Sequence, residues 1–259
     1  MIYTKSKFNY GHTVNLTNKM IPFKEGVGPE INAEIAEGAY SLEDFALAVQ
    51  DALNAAGSQD YLVVIDRVAN QMVINAVSAF SLLTKTGTTV ASSAFSLMGF
   101  ISPNADLTGD NVYRGNSQSG STYYPQFYLQ SYVPPENNLE SVGAMVNESA
   151  SGRVEVVRFG TKNLISMDVQ FITNLQMDGK VFRNNPRGLD DALAFLNYIT
   201  QKKVFEFVPD TQNPNTFYKV ILESMPGYSD GTGFKLVERI ADNLPDIYDT
   251  GIFKLRVVT

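Results

Sequence analysis

The chain has no cysteine and one histidine, His12. The first absence excludes disulfides, thiolate metal sites and cysteine nucleophiles, and suits a protein made in a reducing cytosol. The second leaves a Ser-His-Asp triad or a two-histidine metal site with one imidazole to draw on, in a polar N-terminal stretch with no evident partner. Long apolar runs are also missing. MIYTKSKFNYGH is not the apolar stretch of a signal peptide, and no segment approaches the roughly 20 apolar residues that span a bilayer. The expectation is therefore a soluble chain without membrane insertion. Basic charge is scarce too: 20 Lys and Arg stand against 27 Asp and Glu, a net charge of −7, which argues against a protein built to grip nucleic acid.

What is present suffices for a large core. A chain of 259 residues buries roughly three quarters of its unfolded surface and accommodates one large domain or two modest ones. The clearest local pattern runs from Gly188 to Glu223. Leu189, Ala192, Leu193, Leu196 and Ile199 recur at helical spacing, with Asp190 and Asp191 in the first turn and Lys202 and Lys203 at the end, predicting a helix over 188–202. Val204, Phe205 and Phe207 predict a strand, PDTQNPN a turn, and Phe217 to Leu222 a second strand.

The N-terminal stretch reads as extended, with Ile31, Ala33 and Ile35 alternating on a half-buried strand. Ser41 opens a helix of about residues 42–55, with Asp44 at the capping-box position, an apolar stripe through Leu42, Phe45, Ala46, Val49 and Leu53, and Gly57 past its end. Tyr61–Ile65 and Met72–Val77 form a hairpin, and Phe80, Leu82 and Leu83 suggest a third strand. Ala91–Met98 reads as one or two helical turns ending at Gly99, and SPNADLTGDN as a loop.

The Gly, Ser and Asn rich segment from Asn111 to Ser121 marks a seam near residue 118. The expected organisation is thus an α+β accessory module over 1–118 and a β-rich domain over 119–259, mostly β as a whole. In the second half Tyr123 to Tyr132 predicts an aromatic strand and the segment after Pro134–Pro135 a polar loop to about 152. Arg153–Phe159 and Leu164–Asn174 read as an antiparallel pair, and Gly233–Ile240 with Ile252–Val258 complete a sheet or sandwich of about six strands.

No catalytic constellation stands out. Asp190 with Asp191, and Asp242 with Asp246, are carboxylate pairs of the kind that serve hydrolases, but helix-end charge compensation explains the first. Asn104, Asp106, Thr108 and Gly109 imitate the opening of an EF-hand loop, yet Gly115 occupies the place of its bidentate Glu. Gly231-Thr232-Gly233 lacks the helix behind it that a phosphate cradle needs. The aromatic cluster at 123–132 suits a stacking platform, and more often such a cluster is core or subunit interface. No catalytic, metal or cofactor residue is assigned.

The phrases IAEGAYSLEDFALAVQDALNAAG, FSLLTKTGTTVASSAFSLMGF and NADLTG resemble a strand, helix and hairpin module that recurs in structural proteins of tailed bacteriophages. VFEFVPDTQNPNTFYKVILE, GFKLVERI and LPDIYDTGIFKLRVV resemble the β-rich ring-forming proteins of phage tails, of the distal tail or tail-tube type. That resemblance implies a non-enzymatic virion protein that assembles with itself as a ring, most concretely a homohexamer, and docks other tail proteins, with DNA as passing cargo. It implies a β-sandwich-like ring domain and no catalytic residues. A host-glycan binding module, a capsid decoration protein and a cell-wall hydrolase remain as other readings.

Overall fold

The computed structural model describes residues 6–101, 103–123, 136–148, 154–168, 172–173, 189–224, 235–238, 247–249 and 252–258. In chain order the strands begin with β1 (Lys7–Tyr10), β2 (Thr13–Val14), β3 (Met20–Glu25), β4 (Ile31–Glu34) and β5 (Gly38–Ala39), followed by helix α1 (Leu42–Ala56). Next come β6 (Tyr61–Asp66), β7 (Gln71–Leu82), a 3-10 turn at Val90–Ser92, the short α2 (Phe95–Met98), β8 (Leu107–Arg114) and β9 (Ser121–Tyr123). Then follow β10 (Glu136–Glu148), β11 (Val154–Asp168), β12 (Ile172–Thr173), α3 (Leu189–Ile199), β13 (Phe205–Val208), β14 (Tyr218–Ser224), β15 (Lys235–Glu238), β16 (Ile247–Asp249) and β17 (Ile252–Val257). The architecture is α+β and mostly β, as the sequence pattern requires.

The chain divides into two units, residues 1–124 with 203–217, and residues 125–202 with 218–259. In the first, an antiparallel sheet runs β4, β3, β7, β6, and β8 pairs along β7. One face packs on α1, and the core between them gathers Ile21, Phe23, Ile35, Phe45, Val49, Leu53, Ile74, Phe80 and Met98. Phe80 lies edge-on to Tyr61 and Tyr113, with ring centroids 5.3 and 4.8 Å away. A second ladder in this unit places β1 between β9 and β13, so a strand from far along the chain completes the N-terminal unit. In the second unit β11 pairs with β10 and β17, and β17 with β14.

Helix α1 begins as its sequence dictates: the Ser41 hydroxyl accepts the Asp44 N–H and donates to the Asp44 carboxylate at 2.7 Å. Gly57 follows its end in extended backbone at φ −84°, so it is not a left-handed cap. A Cβ there would lie 2.6 Å from the Glu25 carboxylate, so glycine answers a close approach. That carboxylate accepts from the Ser58 N–H and the Tyr61 hydroxyl, both at 2.9 Å. Burial pushes its pKa up, but these donors outweigh it and hold the group below its usual value. Gly99, at φ 87°, is the left-handed residue that ends α2.

Four expectations give way. Phe80 and Leu82 belong to one continuous β7 rather than a third strand. Residues 107–114, read as loop and seam, form β8, because pairing along β7 recruits them despite their polar composition. The polar segment after Pro135 holds the 13-residue strand β10. Residues 153–159 and 164–174 are not hairpin partners, because β11 runs unbroken from Val154 to Asp168 and takes β10 and β17 as its neighbours. In each case cross-strand pairing overrides weak local propensity. Most of the aromatic stretch at 123–132, Asp242, Asp246 and Gly231 to Gly233 lie outside the described residues.

Candidate functional site

The β1–β13 ladder has two unlike faces. Phe8 meets Phe205 and Phe207, at centroid distances of 5.9 and 5.2 Å. On the other face register sets Asn9 opposite Glu206 and Lys7 opposite Val208, which makes Lys7 and Glu206 diagonal neighbours. Glu206 is wholly buried and Lys7 is 3% exposed. A carboxylate without partners in that position would be prohibitively costly.

Glu206 has three donors. Its Oε1 accepts the Glu43 N–H, in the first turn of α1, at 2.7 Å. Its Oε2 accepts from Arg67 Nη1 at 2.9 Å and from Asn9 Nδ2 at 3.3 Å. The other Arg67 nitrogen binds Glu43, and the guanidinium lies 3.6 Å from the centre of the Phe217 ring, so charge pairing and cation–π contact share one side chain. A carboxylate at the start of α1 also meets the positive end of its dipole. Residues 203–217 are thus joined to the N-terminal unit both by backbone pairing and by a charged group.

Lys7 takes a neutral side chain as its hydrogen-bond partner. Its Nζ donates to Asn70 Oδ1 at 3.2 Å, and Asn70, at φ 57°, is 1% exposed in the turn between β6 and β7. The Ser119 N–H donates to the Asn70 backbone carbonyl at 2.9 Å. Burial lowers the Lys7 amine to about 8; Glu206 opposes this shift and Arg67 adds to it.

His12 occupies a separate niche. Fully buried, its ring lies 5.2 Å from that of Phe45 and its Nε2 is 3.3 Å from Ser119 Oγ. That hydroxyl donates to the Leu97 carbonyl at 2.8 Å, so Nε2 carries the proton and donates to the oxygen. Nδ1 has no hydrogen-bond partner among the described residues. Burial drives the imidazole down to about 4. No nucleophile–base–orienter chain exists here, because the serine beside His12 spends its proton on a backbone carbonyl.

Asp106 accepts from the Lys85 and Thr86 N–H groups at 2.7 and 3.1 Å, and Gly109 lies within β8, which closes the EF-hand comparison. Asp190 stands in the opening turn of α3. An open groove of about 460 Å³, lined by Thr17, Asn18, Thr84, Lys85, Ser93 and Phe95 among others, contains no carboxylate or histidine. Among the described residues no cluster of His, Asp or Glu is arranged to hold a metal, and no helix is long and apolar enough to cross a membrane.

The sequence reading missed Lys7, Asn9, Arg67, Asn70 and Glu206. One local signal existed: Glu206 interrupts an otherwise apolar FEFV strand, and a charge inside such a strand needs a partner. No protein-family model matches the chain, and no curated protein matches its sequence.

Proposed function

We propose that the chain is a non-enzymatic structural protein of a tailed-bacteriophage tail, a self-assembling ring of the distal tail, tube or baseplate hub that docks neighbouring tail proteins. The observation that carries this reading is the β10–β11 hairpin. Its strands pair in one register from Glu136 with Ser166 to Glu148 with Val154, yet only Leu164–Asp168 of β11 also pair with β17. Among the described residues, the rest of the hairpin has no neighbour on either edge. At roughly 3.3 Å per residue that two-stranded extension reaches about 30 Å. An isolated two-stranded ribbon is marginal in water and exposes unpaired edges, which suits an element completed by a second copy. Leu139 and Val154 on it are 77% and 55% exposed.

In this reading residues of the second half build a β-sandwich-like ring domain, six copies close the ring, and the virion tail is where the protein resides. The net charge of −7 suits a lumen through which DNA passes without sticking, because an acidic wall offers no counterion-release attraction. Negative-stain images of the purified protein test the reading. Rings or stacked tubes with a central hole are expected; unassembled particles at all concentrations, or a ring with a basic inner wall, overturn it.

A further inference from the structure

We propose that Lys7 and Asn70 join through an intramolecular amide cross-link, formed when the Lys7 amine displaces ammonia from the Asn70 carboxamide. Three observations converge on this pair. First, the partner of a buried lysine is a neutral carboxamide: Nζ sits 3.2 Å from Oδ1, and a small rotation about the end of the Lys7 side chain carries it toward Cγ, one bond away. Such proximity of reacting groups is the geometry that makes slow amide chemistry intramolecular. Second, both side chains are almost wholly removed from water, at 3% and 1% exposure, so hydrolysis of the carboxamide has little solvent to draw on. Third, the pair is held from both sides. The β1–β13 ladder fixes Lys7, and the Ser119 N–H bond fixes the backbone of Asn70 in its left-handed turn position.

The reaction balances without an oxidant or a co-reactant. The Lys7 ammonium gives up a proton, the freed lone pair forms the Nζ–Cγ bond, and the Cγ–Nδ2 bond breaks. Nitrogen leaves with its two hydrogens plus one from the attacking amine and the proton first released, as ammonium. Glu206, diagonal to Lys7 on the same ladder, is the anionic group whose charge acts on the amine, and the proton released by the ammonium departs with the ammonia. An amine lowered to about 8 supplies the neutral nucleophile near physiological pH. The described lysines that form ion pairs, Lys19, Lys162 and Lys254, bind carboxylates instead, and at Lys19 and Lys162 the hydrogen-bonded glutamates raise the amine above its usual value.

The product would close a covalent loop between residues 63 apart, in a chain that has no cysteine with which to make a disulfide. Cross-linking residues distant in sequence constrains the unfolded chain. This inference does not depend on the assembly reading.

Intact-mass spectrometry of the folded full-length protein tests it, after incubation at a pH above that of the amine. The expected mass is that of the chain less one ammonia, and digestion yields one branched peptide joining the segments around Lys7 and Asn70. The Lys7→Arg protein, which keeps the positive charge, retains all its nitrogen and gives no branched peptide. Folded wild-type protein at the full sequence mass overturns the proposal. So does an ammonia loss without the branch, which would mark ordinary asparagine deamidation through a cyclic imide, or a branch that joins other residues.

Discussion

Two polar sites are buried in the same unit, and they solve the cost of burial in opposite ways. Glu206 surrounds its carboxyl group with an arginine, an asparagine amide and a helix-terminal N–H. His12 gives up its charge: one nitrogen donates to Ser119, the other has no partner among the described residues, and burial holds the ring neutral. The difference follows from what each can lose. A carboxylate that meets a guanidinium and a helix dipole gains from staying ionised, whereas an imidazole beside the Phe45 ring gains nothing from a proton. Stability should therefore depend on partners at the first site and on pH at the second.

The largest effect belongs to Glu206. Glu206→Ala takes from Arg67 its buried carboxylate partner, leaving it only the half-exposed Glu43, and deprives the Glu43 N–H of its acceptor; a loss of about 3–5 kcal/mol is expected in urea denaturation. A loss below about 1 kcal/mol would mean that the network is solvated and the contrast with His12 is false.

The pH dependence of stability comes next. Above pH 6.5 the His12 ring is neutral in folded and unfolded chains, and the site adds no pH dependence. As pH falls from 6.5 to about 4, the unfolded chain takes up a proton that the folded chain refuses, so stability drops by up to about 3 kcal/mol and the loss is complete below that window. His12→Leu should remove this acid limb, and because Nδ1 makes no hydrogen bond the variant should fold at neutral pH. An unchanged acid limb in denaturation curves would assign it to other groups.

Gly120→Ala sharpens the picture of a closed niche. Gly120 has φ 64° and a Cβ there would lie 2.4 Å from His12 Nε2, so a cost of about 1–3 kcal/mol is expected in thermal unfolding. Smallest is Ser41→Ala, at the same end of α1 that Glu206 serves. It removes a neutral cap and should cost about 1 kcal/mol, well below the loss of the charged acceptor beside it.

What the sequence made legible was local. Ser41, Asp44 and the stripe through Leu53 announce α1 because capping and helical periodicity involve neighbours. Gly99 announces the end of α2 for the same reason. The β10 strand stayed hidden, since Asn137, Asn138, Gly143 and Asn147 are poor strand formers, and only β11 supplies the pairing that holds them. The Glu206 network was out of reach for a stronger reason: Arg67 and Glu206 lie 139 residues apart, and a charge in FEFV signals that a partner exists without naming it. The Lys7 and Asn70 pair, 63 residues apart, is hidden in the same way.

The assembly proposal rests on a hairpin whose outer half lacks neighbours among the described residues, and the mass of the purified protein in solution tests it most directly. Light scattering across a range of concentrations should give a closed oligomer, with a mass near six times that of the chain. A strict monomer at the highest concentration would contradict self-assembly as the protein's function.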